Sequence, residues 1–166
     1  MSGPVHQGRG SEIMRITVFT LLLLLLTSGC ILSPDNTDVA VYMHDVQKEM
    51  NALSDNLNAY FLVRARYNNG SIDAGEAYDN AVMASMKNGG IISTLNNMTP
   101  PKDFEAFHTL VLSSAQQIGS AYAYDLECIR STENVSCEQA KQAVRLAQEL
   151  SDNATEELGR LGVVVR

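Results

Sequence analysis

Several things are scarce in this chain, and each shortage closes off a class of function. Basic residues are few: 12 Lys and Arg stand against 19 Asp and Glu in 166 residues, a formal net charge of −7. Phosphate binding needs a basic face, so nucleic acid is not an expected partner. There is no Cys-x-x-Cys-His to attach haem covalently, no glycine-rich phosphate loop and nothing like a nucleophile elbow. No strand-like alternation or internal repeat competes for the fold. The longest apolar run, residues 16–26, is well short of the roughly 20 residues that cross a bilayer as a helix. What is present is a 45% hydrophobic composition. That suffices for the core of one ordinary domain and excludes a wholly disordered chain.

Residues 1–29 are unlike the remainder. Arg15 precedes the apolar run, which ends in six successive leucines at 21–26. A basic residue followed by a short apolar stretch has the layout of a signal peptide. Met14 offers a second start that would leave residues 1–13 outside the protein. The run closes on Leu26-Thr27-Ser28-Gly29-Cys30, which resembles the lipobox of prokaryotic lipoproteins, with Thr27 in place of the preferred leucine. The resemblance implies cleavage before Cys30 and lipid attachment, palmitate included, to that cysteine. The alternative is an uncleaved anchor running on through Ile31 and Leu32. Loss of residues 1–29 removes Arg9, Arg15 and Glu12, which takes the net charge from −7 to −8. Charge then gives no hold on anionic lipid, so the acyl chains must anchor the protein, and two or more are needed for stable anchoring. Residues 30–37 form the lipidated tether, and residues 38–166 form a domain on the extracytoplasmic face of the membrane.

That domain reads as helical. Val39, Met43, Val46, Met50, Leu53, Leu57, Tyr60, Arg64 and Tyr67 alternate steps of four and three, one stripe of a long helix. Arg64 is its one strongly polar member, placed near the end where its stem can snorkel. Asn68-Asn69-Gly70 breaks the pattern. Asp73 and Glu76 form a capping box for a second helix, striped by Ala77, Ala81, Ala84, Asn88, Ile91, Leu95 and Met98. Gly89-Gly90 in its middle predicts a kink or a frayed turn, at about 1 kcal/mol per glycine. Pro100-Pro101 marks the next boundary. Phe104, His108, Val111, Ala115, Ile118, Tyr122, Leu126 and Ile129 stripe the third helix. Ser136-Cys137-Glu138-Gln139 caps a fourth, striped by Ala140, Val144, Ala147, Ser151, Ala154, Leu158 and Leu161 and closed by Gly162. The expected architecture is all-α, an up-down-up-down antiparallel four-helix bundle.

Cys128 ends the third helix and Cys137 opens the fourth. A tight loop between antiparallel neighbours brings them together, and outside the cytoplasm such a pair oxidises to a disulfide. Catalytic constellations are lacking. Glu105-Ala106-Phe107-His108 supplies one Glu-x-x-His, but a di-iron site needs a second, and Glu49 and Glu76 cannot replace it. Met43, His44, Glu105 and His108 could meet at one end of the bundle as a small-ligand, haem or metal site. Core filling is the commoner role of helical methionines, Met83 and Met86 included. Tyr60, Tyr122 and Tyr124 could line a pocket or simply pack. Asn69, Asn97, Asn134 and Asn153 begin glycosylation sequons, the first three near loops. No cofactor and no enzymatic activity are expected.

The lipobox and the helix start Pro100-Pro101-x-x-Phe104-x-x-x-His108 together resemble small uncharacterised helical-bundle lipoproteins of bacteria and archaea. The resemblance implies a surface location and a bundle, and makes His108 a packing residue. The expected function is a non-enzymatic interaction or structural module that binds an envelope protein or another copy of itself. Val82, Ile92 and Phe107, beside the main stripes, are its candidate contact residues. A carrier using the His44/His108 end is the alternative.

Overall fold

The computed structural model describes residues 37–131 and 134–163, with Asn134 described by its backbone alone. The leader, Cys30 and the tether up to residue 36 lie outside the described residues. The described residues form four α-helices: α1 (Thr37–Asn68), α2 (Ala74–Asn96), α3 (Glu105–Ser131) and α4 (Asn134–Arg160). They have 32, 23, 27 and 27 residues, and a 3-10 turn at Lys102–Phe104 leads into α3. No strand occurs among the described residues. The all-α four-helix bundle is the fold.

The stripe of α1 is buried from Val39 to Tyr60, and Arg64 and Tyr67 beyond it are half-buried. Gly70 stops the helix with a φ of 76°, a left-handed conformation that glycine adopts without strain. Ser71 N–H then reaches the Arg66 carbonyl and Gly70 N–H the Tyr67 carbonyl, satisfying two end carbonyls. Gly162, at φ 74°, closes α4 in the same way, with Val163 N–H on the Leu158 carbonyl.

Asp73 caps α2 as expected, its carboxylate accepting the Glu76 N–H at 2.8 Å. The Glu76 side chain does not complete the box and pairs with Arg66 instead. Helix α2 runs unbroken through Gly89-Gly90 to Asn96. Both glycines face solvent, while Asn88, Ile91 and Leu95 on the opposite arc are buried and hold the turn in register. Helix α4 begins at Asn134, before the Ser136 cap, and Glu138 pairs with Lys141 rather than reaching back to a cap.

Packing follows side-chain size. Helix α1 contributes mostly large groups, whereas the other helices set large residues such as Leu95, Ile118, Tyr122 and Leu158 among small ones: Ala77, Ala81 and Ala84 on α2, Ser114, Ala115 and Ala121 on α3, and Ala140, Ala143, Ala147 and Ala154 on α4. Small residues let helix backbones approach, and α3 and α4 make the closest pair. Contacts run in opposite numerical order along neighbouring helices. Asn56 meets Ala84 while Arg66 meets Glu76, and Ser114 meets Ala147 while Cys128 meets Cys137. Tyr42–His108 and Asn56–Tyr122 are each 66 residues apart, so α1 and α3 run in the same sense.

The apolar residues expected beside the stripes are placed differently. Phe107 is only 3% exposed and belongs to the core, because the 3-10 turn sets Phe104, Phe107 and His108 all inward. Ile92 and Val82 are half-buried. Met83 and Met86, expected in the core, are 58% and 73% exposed. They stand on the arc of α2 opposite its buried alanines.

Candidate functional site

Polar ties join α1 to α3, and two of them stand near opposite ends of the bundle. At the first, His108 is 8% exposed and its Nδ1 lies 3.1 Å from the Tyr42 hydroxyl. Phe104 packs edge-on against Tyr42 at 5.9 Å and against Phe107 at 6.4 Å, closing the apolar surround. Burial lowers the His108 pKa below its usual value, and a hydrogen bond to the Leu95 backbone pulls the other way. Burial also raises the Tyr42 hydroxyl above the tyrosine range, which keeps it protonated. The matched arrangement is a neutral imidazole that accepts from Tyr42 at Nδ1 and donates from Nε2 to Leu95.

The residues expected to join His108 do not gather round it. His44 and Glu105 face solvent, and Met43 is buried in the core cluster. The hydroxyl of Tyr42, beside the apolar stripe, stands where a second ligand was expected. Among the described residues no group of three or more His, Cys, Asp or Glu side chains is placed to hold a metal ion.

The second tie was not foreseen. Arg64 Nη2 lies 3.2 Å from Asp125 Oδ1, with Asp125 only 7% exposed. Desolvation lifts the Asp125 carboxyl to about 6 and lowers the Arg64 pKa. Arg64 also lies over the Tyr67 ring, 5.1 Å from its centre, and points Nη2 at Cys128 Sγ at 3.8 Å. Cys128 is bonded to Cys137 as the sequence implied, joining α3 to α4. One turn further in, Tyr60 packs edge-on against Tyr122 at 5.0 Å. Asn56 Nδ2 donates to the Ala84 carbonyl and to the Tyr122 hydroxyl, so it links α1 to both α2 and α3. Tyr124 is exposed and takes no part. The sequence carried one signal for the ion pair itself: a charged residue, Arg64, inside an apolar stripe.

Two more buried polar groups, Asn88 and Ser114, also tie helices together. Asn88 donates to the Ala115 carbonyl at 3.1 Å. Gly119 leaves the room for this, since a Cβ there would stand 3.0 Å from Asn88 Nδ2. Ser114 bonds the Ala147 carbonyl and the Ser151 hydroxyl, both at 2.9 Å. Of the sequon asparagines, Asn69, Asn97 and Asn153 are exposed, and Asn134 is described only as the first residue of α4. Among the described residues no helix is long and apolar enough to cross a membrane. Compared with protein-family models, curated proteins and solved structures, the chain matches none.

Proposed function

We propose that this chain is a lipid-anchored protein of the extracytoplasmic face, tethered through Cys30 and acting there as a non-enzymatic interaction module. The observation that carries the location is the Cys128–Cys137 disulfide, a bond that persists in oxidising compartments and is rare in reducing ones. Together with the lipobox-like ending of the leader, it favours an outward domain over a cytoplasmic one. The interaction role is supported by how the polar groups are used. His108, Asn56, Asn88, Ser114 and Asp125 each bridge one helix to another. Their chemistry is engaged in holding the bundle, which leaves the outer helix faces for recognition.

The test is intact-mass spectrometry of protein extracted in detergent from its own cells. A chain beginning at Cys30, carrying acyl mass and lacking two hydrogens for the disulfide, is the expected result, and Cys30→Ala should abolish the acyl mass. An N-terminus at Met1 or Met14 without acyl mass would overturn the anchoring.

A further inference from the structure

The outer face of α2 is unusual for a solvent-exposed helix. Asp79, Met83, Met86 and Gly90 follow one another at steps of four, three and four, so they share one side of the helix. That side lies opposite the buried Ala77, Ala81, Ala84 and Leu95. Both methionines are largely in solvent. Gly89 and Gly90 weaken the helix, yet a Cβ at either would meet nothing within 4 Å. Packing within the chain therefore gives no reason for bare backbone at this place. Asp79 and Lys87 are exposed and neither forms an ion pair.

The spacing of these two charges decides what fits. Each stands four residues from Met83, on opposite sides, or about 6 Å along the axis. The geometry points to a second copy of this chain on this face, with α2 packed antiparallel against its own α2 about a two-fold axis at Met83. The two-fold sets Asp79 of each copy opposite Lys87 of the other, giving two equivalent charge pairs from one patch. Met83 meets Met83 at the axis, and Met86 packs beside it as a deformable apolar contact. Gly90 falls opposite the partner's first turn of α2, where bare backbone permits close approach. A parallel pairing would instead set Asp79 against Asp79, which like charge disfavours.

This pairing rests on the interaction-module reading and names its partner. One helix face is a small interface for free proteins, but copies tethered to one membrane meet at a high effective concentration.

The experiment uses full-length protein in detergent. Met83→Cys should form a disulfide-linked dimer on mild oxidation, whereas Glu149→Cys on the exposed side of α4 should not. Asp79→Lys in the Met83→Cys background should lower dimer yield about tenfold by setting like charges face to face. Adding Lys87→Asp should restore the yield, and circular dichroism should be unchanged throughout, since both positions are exposed. Equal crosslinking from positions 83 and 149, or no rescue by the charge swap, would overturn the pairing. In native membranes, capture of a different protein through position 83 would overturn the second copy as partner while leaving the interaction role intact. A chain that stays monomeric and captures nothing would overturn both.

Discussion

At one end of the bundle α1 and α3 are joined by Tyr42 and His108, neutral groups whose donors and acceptors match. At the other they are joined by Arg64 and Asp125, two charges that burial disfavours. The first tie needs no charge to leave water. The second combines Coulomb attraction at 3.2 Å with desolvation large enough to hold the Asp125 carboxyl near 6 despite the neighbouring arginine. Buried ion pairs of this kind add little net stability, yet losing one partner is severe because the other charge is stranded. The charged end should therefore be fragile to single substitutions, tolerant of a matched double substitution and sensitive to pH. The neutral end should change gently.

The largest effect tests that asymmetry directly. Arg64→Met leaves Asp125 buried without its counter-charge, and we expect a loss of about 3 kcal/mol at pH 7. The loss should shrink at pH 5, where Asp125 can take up a proton. Arg64→Met with Asp125→Leu should recover most of the stability, because an apolar pair incurs no charge desolvation. Urea unfolding followed by circular dichroism measures all three, and a double variant as weak as the single one would show the pair to be strongly stabilising in itself.

Next comes the disulfide that adjoins Arg64. Cys128→Ser with Cys137→Ser should cost about 2–3 kcal/mol in the chain-entropy picture, for a loop whose ends are 9 residues apart. Beyond that global cost, local opening should increase most at the end of the bundle where α3 joins α4. Hydrogen exchange resolves this: amides near Asp125 should lose more protection than those near His108.

The contrast also explains what could be read in the sequence. The stripe of α1 was legible residue by residue from Val39 to Tyr60, because burial against neighbours imposes the helical period directly. The disulfide was legible because a separation of nine residues between two helix ends leaves little freedom. Arg64 stood out as an anomaly, but its partner did not. Asp125 follows Tyr122 by three residues and is recognisable only once the register of α1 against α3 is fixed, and no period encodes that register. Tyr42 was hidden for the same reason, as it lies beside the stripe and acquires its role from His108, 66 residues away. Met83 and Met86 were misplaced because an apolar pair one helical step apart carries no label for which arc of the helix is covered. The alanines at 77, 81 and 84 carried that information, and small residues are weak signals of burial.

Opposite pH slopes should distinguish the ends. Asp125 binds its proton more tightly when folded, at about 6 against an ordinary 3.8. Its contribution is therefore full below about pH 4 and is lost as pH rises through 6, a change of about 3 kcal/mol. His108 is the reverse. Its folded pKa lies below the usual 6.5, so the unfolded chain protonates first and stability is lost as pH falls below 6.5. Subtracting the stability profile of Asp125→Asn from that of the native chain should leave a slope falling between pH 4 and 6. The same subtraction with His108→Gln should leave a slope rising with pH. Two slopes of the same sign would mean that the ends do not differ in the way their burial implies.

The smallest expected effect belongs to the neutral tie. Tyr42→Phe keeps the ring against Phe104 and removes one hydroxyl, so the loss should be about 1 kcal/mol, the net worth of a single buried hydrogen bond. The hydroxyl can donate only to an unprotonated Nδ1, so its loss removes an interaction that favours the neutral imidazole. The His108 pKa should accordingly rise in the variant, readable from the pH dependence of its ring carbon resonances. An unchanged pKa would mean that the Tyr42 hydroxyl does not hold the imidazole neutral. The low value would then be due to burial alone, and the two ends would differ in charge but not in how well their polar atoms are matched.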